Sequence, residues 1–324
     1  MSRILKLLAL VFVLALISIS LLGWWFLRYD VIDPPALAGQ MEVGAIEHAG
    51  KQRTWRAYVP SSLGTHPPVV FVLHGSQGSG NDMRVMSFYS FDVEAERAGY
   101  IAVYPDGYQG HWNDCRASAS YAANRENIDD VGFLRQLAAE LEQRFGADPQ
   151  RVYATGLSNG GHMAFRLALE APDLVRGIAP MAANLPRAEN LGCAESGEAV
   201  SVMVINGTED PVNPYNGGMV EILGDDSRGP VRSMQETGRY WAELAGYGGA
   251  PETARWPDRV PEDGTTVEVE RWLAPGRATV ELVSVIGGGH TVPNPTFSLP
   301  LLLGPTSHEF DAAEVIWDFF SQAP

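Results

Sequence analysis

Apolar positions make the first division of the chain. Residues 7–27 carry no charged side chain and follow Arg3 and Lys6. As a helix this run would extend ~32 Å, about the thickness of the hydrocarbon core of a bilayer. Trp24, Trp25 and Tyr29 fall where an interfacial aromatic belt lies, with Arg28 beside them. Residues 28–40 (RYDVIDPPALAGQ) read as a linker stiffened by Pro34 and Pro35. Beyond it, short apolar runs predict strands at 53–59, 69–73, 100–104, 152–155, 200–205, 267–272 and 279–286. Several of these runs are continuous rather than alternating, as in strands covered on both faces. Apolar residues at helical spacing predict helices over 131–145, 160–169, 231–244 and 312–320. Asp129 and Asp130 stand ahead of the first of these, and Asp311 with Glu314 gives the last a capping-box-like start. The alternation predicts an α/β fold with a mainly parallel sheet and helices on both faces. It divides the chain into an apolar segment (1–27), a linker (28–40) and one domain (41–324).

Composition narrows the function. The 324 residues are 45% hydrophobic and 19% charged, which excludes a disordered or collagen-like chain. The net charge is −16, and without residues 1–28 it is 20 basic against 39 acidic side chains, or −19. A body this acidic lacks the cations that neutralise phosphates, so nucleic acid is excluded as a partner. It is also a poor match for an anionic membrane surface.

The apolar start has two readings. An uncleaved signal-anchor fits the length of the run, since the apolar core of a signal peptide spans only ~7–15 residues. A cleaved signal is the alternative, with Ala36-Leu37-Ala38 before Gly39 as the processing site. Both export the body, because Arg3 and Lys6 favour an amino end inside. The expectation is an extracytoplasmic protein, periplasmic or secreted, held to the inner membrane through residues 4–27 if they are retained. Cys115 and Cys193 fit that compartment as one disulfide, with two buried thiols as the alternative. Neither has the spacing of a zinc ligand set, and no metal or cofactor is called for.

One motif carries chemistry. Residues 152–161 read VYATGLSNGG, so a strand runs into Gly156-Leu157-Ser158-Asn159-Gly160 and a helix begins at once. G-x-S-x-G between strand and helix is a nucleophile elbow, in which the glycines admit a tight turn and the serine stands above the sheet. Serine needs a base, held in turn by an acid. Among seven histidines, His290 follows a strand and the flexible Gly287–Gly289 turn. His162 sits one helical turn past Ser158 and points away from it. For the acid, Asp210 ends a strand and is fixed by Pro211, with Glu209, Asp225 and Asp226 as rivals. The oxyanion hole calls for two backbone amides, that of Asn159 and one from the loop after the 69–73 strand, Ser76 being the choice over Gln77.

Taken together these residues resemble the polyhydroxybutyrate depolymerase and feruloyl esterase family of α/β-hydrolases. The likeness runs from about residue 41 to the end. It rests on LHGSQG at 73–78, VYPDG at 103–107, HWND at 111–114, YATGLSNGG at 153–161, NGTEDP at 206–211 and GGGHT at 287–291. The resemblance implies Ser158, Asp210 and His290 as a triad and amides near Ser76 and Asn159 as the oxyanion hole. Trp112 is a candidate for lining the substrate pocket, or else a core residue, and the 297–303 stretch (FSLPLLL) a candidate wall for an acyl group. This chain departs from the family where it often has Cys, at Ser76, and where it often has Trp, at Val292. The function implied is an exported serine carboxylesterase acting on hydroxyalkanoate oligomers or acyl and feruloyl esters, with neutral esters favoured by the acidic body. The alternatives are a serine peptidase or acyltransferase on the same scaffold, and an inactive membrane-tethered binding module.

Overall fold

The computed structural model describes residues 3–324. Helix α1 (Arg3–Leu27) leads, with its apolar side chains largely exposed. Its Leu5–Leu27 portion is long and apolar enough, by length and composition, to cross a membrane. The Arg28 guanidinium lies 4.0 Å from the centre of the Trp25 ring. The linker then pairs with the body: Asp30 N donates to Ser298 O at 3.1 Å, and Ser298 N donates to the Asp30 carboxylate at 2.7 Å.

The body opens with a hairpin of β1 (Gln40–His48) and β2 (Lys51–Val59). Next come β3 (Val69–Leu73), α2 (Gly80–Met86), α3 (Ser90–Ala98) and β4 (Ile101–Pro105). A short α4 (Ala122–Arg125) and a long α5 (Asp130–Phe145) lead to β5 (Val152–Leu157), α6 (Asn159–Glu170), β6 (Gly177–Met181) and β7 (Ser201–Gly207). A small ribbon of β8 (Gly218–Met219) and β9 (Pro230–Val231) precedes α7 (Met234–Leu244). The chain finishes with β10 (Glu252–Arg255), β11 (Thr266–Trp272), β12 (Val280–Ile286) and α8 (Ala312–Ser321).

Ten strands form one mixed sheet in the order β1-β2-β4-β3-β5-β6-β7-β12-β11-β10. The centre, from β4 to β12, is parallel, and antiparallel pairs close both edges. The parallel strands are buried on both faces, which explains their continuous apolar runs. Val69, Phe71 and Leu73 of β3 pack in a core layer with residues of α5, α6 and α7, such as Phe133, Leu137, Phe165 and Trp241. Val70 and Val72 pack in the opposite layer with residues of α2, α3 and α8, such as Met83, Phe91, Ile316 and Phe320.

Several elements depart from the expected list for identifiable reasons. Strand β6 (GIAPM) contains Gly177 and Pro180, which ordinarily argue against a central strand. Burial between β5 and β7 imposes it all the same. Strand β1 carries Gly44 in place of an apolar residue because the Trp55 ring of β2 occupies that space; a Cβ there would sit 2.3 Å from the ring. The helix expected from 231 starts at Met234, since Val231 is taken by β9 and Ser233 forms a capping box with Glu236.

Candidate active site

Every parallel strand ends at the same edge of the sheet, and the loops there carry the predicted chemistry. Ser158 follows β5 with φ 55° and ψ −116°, a left-handed conformation that costs a non-glycine residue ~1–3 kcal/mol. The surroundings enforce it. A Cβ on Gly156 would lie 2.6 Å from Leu73 O, and one on Gly160 only 2.1 Å from the same oxygen. The elbow is therefore pressed against the end of β3, where only glycine fits on either side of the serine. Ser158 N donates to Met181 O at 2.9 Å, tying the turn to the neighbouring strand. Ser158 Oγ makes no hydrogen bond to another described residue, and in free enzymes the nucleophile–base contact often tightens only with substrate.

The acid and base loops come from β7 and β12, which pair directly. A Cβ on Gly207 would sit 2.1 Å from Gly288 O, so the two loops meet with no side chain between them. Glu209 N donates to Gly288 O, and Gly287 N donates to Thr208 Oγ1, at 2.9 and 2.8 Å. This clasp brings His290 Nδ1 to 2.7 Å from Asp210 Oδ2. The second carboxylate oxygen, Oδ1, accepts from the amides of Val212 and Asn213 at 2.7 and 2.8 Å. A carboxylate only accepts, so the proton between the pair belongs to His290 Nδ1, and Nε2 carries the free lone pair. The Asp210 side chain is fully buried, and the rivals Glu209 and Asp225 are exposed.

The loop after β3 lies against the elbow: a Cβ on Gly75 would be 3.7 Å from Ser158 Cβ. The amides of Ser76 and Asn159 have no acceptor among the described residues. That of Asn159 opens α6, where first-turn amides lack intrahelical partners. His74 fixes the loop. Its Nδ1 donates to Gly75 O at 2.7 Å and its Nε2 accepts from Gly107 N at 2.8 Å, a pattern that only the neutral ring satisfies. Burial pushes its pKa below the usual imidazole value, in keeping with that neutral state.

For Trp112 the structure shows the core alternative. Its side chain is 0% exposed, its indole donates to His74 O at 3.0 Å, and its backbone is held by the Asn159 side chain. No face is left for substrate, so Trp112 braces the loop. In the 297–303 stretch Leu301 and Leu302 are exposed beside α1, and Leu303 O accepts from His290 N. Val292, at the position where a Trp was expected from the family, is buried in the core.

Sequence reasoning missed a buried polar network behind the elbow. Asn159 Nδ2 donates to Asp114 Oδ2 at 2.6 Å, and Asp114 pairs with Arg116 at 2.5 Å. Burial alone would raise the Asp114 carboxyl, but the charge and hydrogen bonds of Arg116 prevail and hold it below its ordinary value. Cys115, between these two, is bonded to Cys193, the disulfide expected from the cysteine count. The HWND motif was the available signal: Trp112 braces His74, Asn113 donates to Ile128 O, and Asp114 anchors Asn159. Among the described residues no group of three or more His, Cys, Asp or Glu side chains is placed to hold a metal ion.

Comparison with known proteins gives the same direction. Residues 46–246 match the Esterase family, described as "Putative esterase". The "Putative esterase NocK" of Nocardia uniformis subsp. tsuyamanensis is 32% identical over 305 residues, covering 90% of this chain and 84% of that protein. "Feruloyl esterase B" of Piromyces equi is 28% identical over 201 residues, 59% of this chain and 34% of that protein. In three dimensions an acetyl xylan esterase from Aspergillus awamori aligns with a TM-score of 0.55 at 18% identity, covering 78% of this chain and 95% of the other. That likeness is one of fold.

Proposed function

Because the chain belongs to the Esterase family, and so is a carboxylic ester hydrolase, we propose that it works through a Ser158–His290–Asp210 triad. The observation that carries this reading is the short Asp210–His290 hydrogen bond, on the same sheet edge as the strained Ser158. In the first half-reaction Ser158 Oγ attacks the ester carbonyl while His290 Nε2 takes its proton. The amides of Ser76 and Asn159 receive the oxyanion. The C–O bond to the alcohol then breaks, and His290 returns the proton to the departing oxygen. In the second half, water attacks the acyl-enzyme with His290 again as base, releasing the acid and restoring Ser158. Asp210 keeps the imidazole in the required tautomer and stabilises the imidazolium.

The body acts outside the cytoplasm in this reading. Support comes from the apolar α1 and from the Cys115–Cys193 bridge, which persists in oxidising compartments. Helix α1 serves as a signal-anchor, and the substrates are acyl esters of the kinds that the names of the relatives describe, feruloyl and acetyl, or hydroxyalkanoate oligomers. Comparing Ser158→Ala with the unaltered protein on short acyl, feruloyl and hydroxybutyrate esters tests the assignment. The variant is expected to lose at least about 10³-fold in kcat, and full activity in it would overturn the triad.

A further inference from the structure

Beside Ser76 in the candidate site lies an arrangement that ester hydrolysis does not require. The Tyr121 phenol oxygen accepts from Arg116 Nη2 and Arg228 Nε, both at 3.1 Å, and lies 3.3 Å from the Ser76 hydroxyl. Arg116 is 2% exposed, and Arg228 and Tyr121 are each 7% exposed or less. Nη1 of Arg116 and Nη2 of Arg228 make no hydrogen bond to a described residue. Neither atom is fully enclosed. The result is a nearly buried cluster of donors, two of them guanidinium arms, beside the candidate oxyanion loop.

The cluster is rigidly built. The Asn190 side chain accepts from Ser118 N and donates to Arg228 O and Pro230 O, stapling the loop of Arg116 to the loop of Arg228. A Cβ on Gly229 would lie 2.7 Å from that amide, so the contact is close. The Cys115–Cys193 bridge locks the same loop, and His111 stacks on the Tyr121 ring with centroids 4.2 Å apart. Asp225, the counter-ion of Arg228, has a side chain 55% exposed, and such a half-solvated pair is worth only ~0–1 kcal/mol.

We infer that Arg228, Arg116 and Tyr121 form a specificity subsite for a carboxylate carried by the ester substrate. Guanidinium groups match a carboxylate in geometry as well as charge, and one arm of each arginine remains beyond those bound to Asp114 and Asp225. Each guanidinium already has a carboxylate partner, Asp114 for Arg116 and Asp225 for Arg228, so what the cluster offers is directed N–H donors rather than a surplus of positive charge. This subsite rests on the triad reading and selects the esters on which the triad acts.

The test uses the full-length protein and two pairs of esters: p-nitrophenyl hemisuccinate against p-nitrophenyl butyrate, and the β-hydroxybutyrate dimer against its methyl ester. The expected result is a higher kcat/KM for the carboxylate member of at least one pair. Arg228→Gln lowers that carboxylate-to-neutral ratio about tenfold and Arg228→Lys by less, because charge survives without the fork. The ratio is taken within one protein, so a smaller folded fraction cancels. Calorimetric binding of the dimer and its methyl ester to Ser158→Ala, with and without Arg228→Gln, reads the same preference without chemistry. No carboxylate preference in rate or binding, or a preference indifferent to Arg228, overturns the subsite. Dead turnover on every ester with the binding preference intact supports the subsite and strikes the triad instead.

Discussion

The Asp210–His290 side of the candidate site and the side around Tyr121 are held in place by different means. Asp210 and His290 are aligned by backbone: two amides on one carboxylate oxygen, and glycine loops pressed together at the ends of adjacent strands. The Tyr121 side is aligned by side chains from distant segments, namely Ser76, Arg116, Tyr121 and Arg228, and by a disulfide joining residues 78 apart. Backbone positioning leaves the reacting groups little freedom, which suits proton transfer. Side-chain positioning lets the proposed subsite change without disturbing the strands that carry the proposed triad.

The sharpest way to separate the two sides is to damage each alone. Asp210→Asn keeps the shape of the first side but favours the wrong tautomer of His290, and kcat is expected to fall about 10⁴-fold with little change in Tm. An equally large loss of Tm would show that this side also carries stability. On the second side, Asp114→Ala leaves Arg116 charged, buried and unpaired. A loss of ~3–5 kcal/mol in denaturant unfolding is expected, and a loss under 1 kcal/mol, roughly the worth of an exposed pair, would contradict the burial argument. Replacing both Cys115 and Cys193 by Ser removes the cross-link and should cost ~2–4 kcal/mol. The carboxylate-to-neutral ratio should fall with it, while the Asp210–His290 pair is untouched.

The smallest effect concerns pH. Burial holds His74 below the usual value of 6.5, and burial together with the charge of Arg116 does so more strongly for His162. The unfolded chain takes up these protons below about pH 6.5 while the folded chain refuses them. Their contribution to stability is therefore full above that pH and is lost as pH falls toward the depressed values. His162 also has a buried Nδ1 without a partner. His162→Leu should give a shallower fall of Tm between about pH 7.5 and about pH 5.5 than the unaltered protein. An unchanged slope would place the acid sensitivity elsewhere.

The same contrast explains what could be read from the sequence. The strand at 69–73 coincides with β3, and α5 and α6 are each within one residue of their expected bounds at either end. Those elements follow from local apolar patterns, and the placement of Ser158, Asp210 and His290 beyond strand ends follows from motifs. Strand β6 was hidden because Gly177 and Pro180 argue against a strand until neighbours are supplied on both sides. Helices α2 and α3 were hidden because they are short and their apolar stripe is thin, Met83 in one and Phe91 with Ala95 in the other. Trp112 was legible as a large apolar residue near the site, but its direction was not, since only the tertiary contact with His74 decides it. Arg228 lies 107 residues from Tyr121, in a loop without periodicity, and no local pattern points one at the other.

The central claim, that Ser158 is the activated nucleophile, is met most directly by covalent labelling. A fluorophosphonate probe reacts with a serine only where base and oxyanion donors activate it. Intact-mass measurement of the folded full-length protein should show a single adduct, mapped by peptide sequencing to Ser158 and absent in His290→Ala. No adduct on folded protein, or an adduct on another residue, would contradict the account.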